Sequence, residues 1–112
     1  MAREPVPLSL SKIAREGDYR MSNLSERFGL SERHTRRIFE EGIGMAPKKW
    51  LRKERMVAAR SLLREGSPIK EVAIDLGFTT SKMFSRDFQE FYGMRPTEYQ
   101  RKLFAQLHEA NA

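Results

Sequence analysis

The chain repeats itself. Gly44-Met45-Ala46-Pro47, followed by Trp50, Arg52 and Lys53, returns as Gly93-Met94-Arg95-Pro96, followed by Tyr99, Arg101 and Lys102. The match extends backwards, with Arg37, Phe39 and Glu41 set against Arg86, Phe88 and Glu90. In each copy the repeated block follows a helix, a glycine turn and a second helix, which reads as two helix-turn-helix units in tandem. A length of 112 residues admits one domain, or two very small ones sharing a connecting element. A large ligand-enclosing core beside the repeats is therefore excluded.

The expected fold is all-α: two tandem helix-turn-helix subdomains joined by a long linker helix, with about seven helices in all. Residues 1–7, including Arg3, Glu4, Pro5 and Pro7, lack a helical period and read as a linker end or tail. The first unit is expected over 8–46, the linker helix over 47–65, the second unit over 66–107 and a frayed tail over 108–112. Leu8, Leu10, Ile13 and Ala14 make a short amphipathic helix closed at Gly17-Asp18. Ser22 is the expected cap of the next helix, with Leu24 and Phe28 facing inward and Gly29 as its stop. Ser31 caps the helix after it, which turns Thr35, Ile38 and Phe39 inward and Arg33, Arg36, Arg37 and Glu40 outward.

Pro47 suits the first turn of the long helix, whose buried stripe is Trp50, Leu51, Ala58, Ala59, Leu62 and Leu63 and whose basic face is Lys48, Lys49, Arg52, Lys53 and Arg55. Ser67-Pro68 signals the next start, with Ile69, Val72, Ala73 and Leu76 inward and Gly77 as the stop. Thr80 caps the last unit's second helix, which is expected to bury Met83, Phe84, Phe88 and Phe91 and expose Ser81, Lys82, Ser85, Arg86 and Gln89. Met45, Met56, Met83 and Met94 read as core or turn fillers. A closing helix runs from Pro96 through Leu107. Ser25 and Ala73, each four residues before a turn glycine, supply small side chains where two helices cross, and Leu30 and Phe78 plug the turns.

Lys and Arg number 21 against 15 Asp and Glu, a net charge of +6 that favours a polyanionic partner. Cysteine is absent, which excludes disulfides, thiolate zinc sites, cysteine nucleophiles and thiol redox switching in these residues and fits a reducing cytoplasm. No apolar stretch approaches the roughly 20 residues that span a bilayer. An enzyme would have to draw on His34 and His108, which sit in no catalytic constellation and lack a metal-ligand spacing. No catalytic residue, metal or cofactor is expected.

A helix fits the major groove of duplex DNA and presents its exposed N-terminal residues to base edges. Arg33, Arg36 and Arg37 fit that role in the first copy, and Ser81, Lys82, Ser85 and Arg86 occupy the corresponding face of the second. Phosphate contacts outnumber base contacts in such interfaces, so two of the three arginines are expected on bases and one on the backbone. The phosphate set is expected to comprise Ser31, His34, Lys48, Lys49, Thr80, Ser85 and Gln89. The competing reading is a sequence-independent basic helical module that binds nucleic acid or protein, and the duplicated capped helices argue against it.

Between Ser22 and Lys102 the chain resembles the DNA-binding domain of the AraC/XylS family of bacterial transcription regulators. The resemblance is most specific in the second repeat, from Ile69-Lys70-Glu71-Val72-Ala73-Ile74-Asp75-Leu76-Gly77-Phe78 through Met83-Phe84-Ser85-Arg86-Asp87-Phe88 to Tyr92-Gly93-Met94-Arg95-Pro96-Thr97-Glu98-Tyr99. The first repeat follows it through Leu24, Gly29, Ser31, Arg37, Phe39, Gly44 and Pro47, and the linker through Arg55, Ala59, Leu62 and Leu63. The resemblance implies sequence-specific binding of double-stranded DNA and regulation of transcription, with recognition helices over about 31–41 and 80–91 in successive major grooves. It implies Arg33, Arg36, Arg37, Ser81, Lys82 and Arg86 as base readers, a contact with RNA polymerase, and an effector-binding or dimerisation domain outside these residues. Thr35 departs from the pattern by standing where the family has a larger apolar residue, and Gly42 loosens the end of its helix by up to ~1 kcal/mol relative to alanine. A softer first repeat is the expectation.

Overall fold

A computed structural model of the chain describes residues 9–110. The linker or tail expected over 1–7 and the last two residues lie outside the described range, as does Leu8. The described residues form seven α-helices: α1 (Leu10–Glu16), α2 (Met21–Phe28), α3 (Glu32–Gly42), α4 (Pro47–Arg64), α5 (Ile69–Asp75), α6 (Ser81–Tyr92) and α7 (Pro96–Ala110). They divide into two compact units that part between Arg55 and Met56, within α4. No described helix is long and apolar enough to cross a membrane.

In the first unit α1 packs on α2 and α2 on α3. Two successive residues, Asp18 (φ 55°) and Tyr19 (φ 58°), adopt left-handed backbone and reverse the chain, and the Tyr19 N–H donates to the Ala14 carbonyl at 2.9 Å. The chain then enters α2 through Arg20 in extended conformation with no side-chain cap. Ser22 is therefore not the cap expected from its type, but a residue inside the first turn. Burial of Tyr19 and Met21, and a hydrogen bond donated by the Asn23 side-chain amide to the Gly17 carbonyl at 2.8 Å, set the entry instead.

Both helix turns close in the same way. The Leu30 N–H reaches the Ser25 carbonyl and the Gly29 N–H the Glu26 carbonyl, each at 3.0 Å; Phe78 and Gly77 reach Ala73 and Ile74 at 2.9 and 3.0 Å. Such paired bonds require a left-handed residue, supplied by Gly29 (φ 69°) and Gly77 (φ 77°). Ser25 and Ala73 are buried, as their positions at the crossings demand. Of the turn plugs, Phe78 is buried and Leu30 half-buried.

In the second unit α5 packs on α6 and α6 on α7. Ser67 does not cap α5. Its N–H donates to the Leu62 carbonyl at 3.1 Å, finishing α4, and α5 starts behind Pro68 with no side-chain cap. The Ser67 carbonyl is held by the Gln100 amide at 2.9 Å, which also reaches the Leu63 carbonyl at 3.0 Å. The Tyr92 hydroxyl donates to the Met56 carbonyl at 3.0 Å beneath the Arg60 guanidinium, 5.3 Å from its ring centroid. Burial pushes the Tyr92 phenol above its ordinary pKa, against the opposing pull of Arg60. The last helix continues past the expected fraying point at His108 to Ala110.

A spacing of 49 residues relates the two copies from cap to closing helix. Ser31 and Thr80 cap α3 and α6 by accepting the N–H bonds of His34 and Met83, each at 3.1 Å. Phe39 meets Trp50 at 5.2 Å between ring centroids, and Phe88 meets Tyr99 at 5.9 Å, the same pair 49 positions on. Pro47 and Pro96 are fully buried at the starts of α4 and α7. The register breaks down inside the cores: Thr35 stands where the second copy has Phe84. Phe84 joins Phe78 and Phe88 in a continuous aromatic cluster, whereas the Thr35 hydroxyl bonds to the Ser31 carbonyl at 2.9 Å.

Several side chains expected inside lie outside. Phe28 is 37% exposed, Ile38 45%, Met83 45% and Phe91 36%. Each sits at the edge of its helix's apolar stripe, and a unit of three or four short helices has too few neighbours to cover an edge position. In α4 the core is carried by Trp50, Leu51, Met56, Ala59 and Leu63, while Ala58 and Leu62 are only half-buried.

Candidate nucleic-acid interface

The sequence of α3 places its charges by helical periodicity. Arg33, Arg36, Arg37 and Glu40 follow at steps of three, one and three residues, so all four fall on the face opposite buried Thr35 and Phe39. Together with Ser31 and His34 they line a shallow groove of about 420 Å³. All six are exposed. Among the described residues, none of the three guanidiniums forms an ion pair, in contrast to Arg27, which binds Glu16 at 2.9 Å. That hydrogen bond holds the Glu16 carboxyl below the usual carboxylate range. The fork-shaped donors of α3 are thus turned to solvent and open to an external acceptor.

The face of α6 is chemically different at the same register. Counting from the caps, Lys82 stands at the position of Arg33, Ser85 at Arg36, Arg86 at Arg37 and Gln89 at Glu40. Lys82, Arg86 and Gln89 are exposed, while Ser81 and Ser85 are half-buried and reach less far. Ser81 borders a smaller groove of about 220 Å³ that it shares with Lys70, Thr79 and Thr80 among others. The cap hydroxyls of Ser31 and Thr80 accept a backbone N–H and so keep their own protons available to an outside oxygen. Lys48 and Lys49 are exposed on the first turn of α4, within the first unit.

The structure therefore brings the first unit's expected α3 residues onto one groove and the second unit's onto one helix face. Sequence reasoning passed over Glu40 as an ordinary surface charge, although its spacing from Arg36 and Arg37 already puts it on their face. Lys70 and Thr79 were also missed. Their approach to Ser81 comes from the packing of α5 on α6, for which spacing along one helix carries no signal. Among the described residues no group of acidic, histidine or cysteine side chains is arranged to hold a metal ion.

Residues 24–102 match the model of a family described as a helix-turn-helix domain. An HTH-type transcriptional regulator of Mycobacterium tuberculosis is 34% identical over 90 residues, covering 80% of this chain and 34% of the relative. A Haemophilus influenzae HTH-type transcriptional regulator is 27% identical over 89 residues, covering 79% of this chain and 30% of its own length. The chain thus spans about a third of the length of these curated relatives. Among solved structures, the DNA-binding domain of the global transcriptional factor AdpA, in complex with a target DNA, superposes with a TM-score of 0.75 at 27% identity, covering 91% of this chain and 96% of that one. The C-terminal domain of the response regulator yesN from Fusobacterium nucleatum gives 0.70 at 27% identity, covering 81% and 94%.

Proposed function

The chain belongs to the AraC-type family of helix-turn-helix transcription regulators, and from that premise we propose that it binds double-stranded DNA sequence-specifically and thereby regulates transcription. The family is one of DNA-binding regulators, not of enzymes. The observation that carries the reading is the pair of cap-aligned exposed faces on α3 and α6, each the second helix of a helix-turn-helix. α3 and α6 each enter a major-groove segment; two of Arg33, Arg36 and Arg37 face base edges and the third the backbone, while Ser81, Lys82 and Arg86 face base edges from α6. Ser31, His34, Lys48, Lys49, Thr80 and Ser85 hold phosphates, as polar and basic groups at helix starts do; the likeness to a domain solved on its target DNA supports duplex DNA as the partner.

Footprinting on genome fragments, at physiological salt and with excess nonspecific competitor, tests the reading. A protected site with two separately mutable parts is the expected result. Protection that vanishes under competitor and follows no sequence would leave only a basic helical module. Lys48→Ala is expected to weaken binding to every duplex alike and to reduce the slope of log K against log salt by about 1, as loss of one phosphate contact does.

A further inference from the structure

We propose that the two recognition helices demand different base pairs: α3 a guanine-rich half-site, α6 a mixed half-site with one arginine-read guanine and one glutamine-read adenine. The inference rests on the DNA-binding reading above. In the common register Arg33, Arg36, Arg37 and Glu40 stand against Lys82, Ser85, Arg86 and Gln89. Three guanidinium forks therefore face one.

A guanidinium carries donors only, and it bonds at two points only where an edge offers two acceptors side by side. In the major groove that edge is guanine, through O6 and N7; adenine pairs an acceptor with a donor, thymine offers one oxygen and a methyl, and cytosine offers a donor. At a rise of 1.5 Å per residue, Arg33 lies about 4.5 Å along the axis from Arg36 and about 6 Å from Arg37, one to two base steps. The guanines are therefore neighbours or one pair apart. Glu40 lines the same groove. Its carboxylate repels phosphate and accepts from the cytosine amino group opposite a guanine, so it favours the same G·C pairs. The third arginine is left to the backbone.

On α6 only Arg86 carries a fork. Ser85 is short and half-buried. Gln89 was expected from the sequence to hold phosphate, yet it occupies the register of Glu40, and its amide offers a donor and an acceptor together, the complement of adenine N7 and N6. Lys82, a compact charge without a planar fork, adds affinity and discriminates less sharply than an arginine.

The test is selection from a random-sequence duplex pool with the whole chain, repeated with Arg33→Lys, Arg36→Lys, Arg37→Lys, Arg86→Lys and Gln89→Ala. Lysine keeps the charge and the exposed surface while removing the fork. The expected result is a two-part consensus in which one part holds two guanines within about three consecutive base pairs, each preferred roughly tenfold or more. Two of the three α3 variants each flatten one of those guanines, and the third leaves base preference unchanged. Arg86→Lys flattens a guanine in the other part, and Gln89→Ala flattens an adenine there. Parts of equal guanine content, or guanines indifferent to the α3 arginines, overturn the inference and leave DNA binding standing. A pool that enriches no sequence overturns both.

Discussion

At the residue scale, two buried oxygens make opposite contributions. The Ser25 hydroxyl is enclosed at the crossing of α2 and α3 and has no hydrogen-bond partner. A hydroxyl taken out of water without compensation is unfavourable, and alanine is also the better helix former. Ser25→Ala should therefore raise stability by about 1 kcal/mol, seen as a higher urea midpoint; a lower midpoint would mean that the hydroxyl is bonded in solution. The Tyr92 hydroxyl, in contrast, is bonded to the Met56 carbonyl and half-buried. Burial raises its pKa above the ordinary 10.0. The neutral phenol is thus favoured in the folded chain, its contribution is complete below that pH, and it is lost as the pH rises through the folded-state value. Between about pH 9 and about pH 11 the urea midpoint of the wild type should fall further than that of Tyr92→Phe. Equal falls would assign the alkaline loss to other groups; the Tyr19 phenol, also raised by burial, is the first of them.

At the element scale the turns are the fixed points. An added Cβ at Gly29 would meet nothing within 4 Å, so its only obstacle is the positive φ. Gly29→Ala should then cost about 1 to 2 kcal/mol through backbone conformation alone, measurable as a urea midpoint shift with the slope unchanged. A negligible shift would mean that the turn relaxes out of the left-handed region. Such turns were legible in the sequence because glycine after an amphipathic run, followed by Ser or Thr, has a local cause. How α2 and α5 are held at their starts was not. Ser22 and Ser67 have the right chemistry for caps, but buried Tyr19 and Met21 decide one start, and the closing bond from Ser67 to Leu62 decides the other. Both are packing effects that a cap rule cannot see. The outward faces of α3 and α6 followed from helical period, whereas the exposed edges at Ile38 and Met83 depend on how few helices surround them. The approach of Lys70 and Thr79 to Ser81 comes from the packing of α5 on α6, which the period of neither helix encodes.

At the scale of the whole molecule, the two units differ in how they are filled. The second carries Phe78, Phe84 and Phe88 in successive ring contacts, with Tyr92 and Tyr99 both meeting Phe88. The first has Thr35 at the Phe84 register and, beside it, an apolar groove of about 400 Å³ bordered by Leu10, Phe28, Ile38 and Ile43. Apolar side chains left partly in water contribute less burial to the fold, which lowers the local opening free energy. Amides of α3 should therefore exchange faster than those of α6 in the free chain; equal protection of the two helices would show that Thr35 and its hydrogen bond compensate for the missing ring. The 49-residue register has a consequence of a different kind. Cap, buried ring and closing proline recur at fixed places, while the residues on the outward faces between them point away from the buried rings. On the proposed DNA-binding reading, substitutions on one outward face change one half of the recognised site and leave the other half as it was. A duplicated reader of this sort changes its loyalties gradually, without passing through a form that recognises nothing.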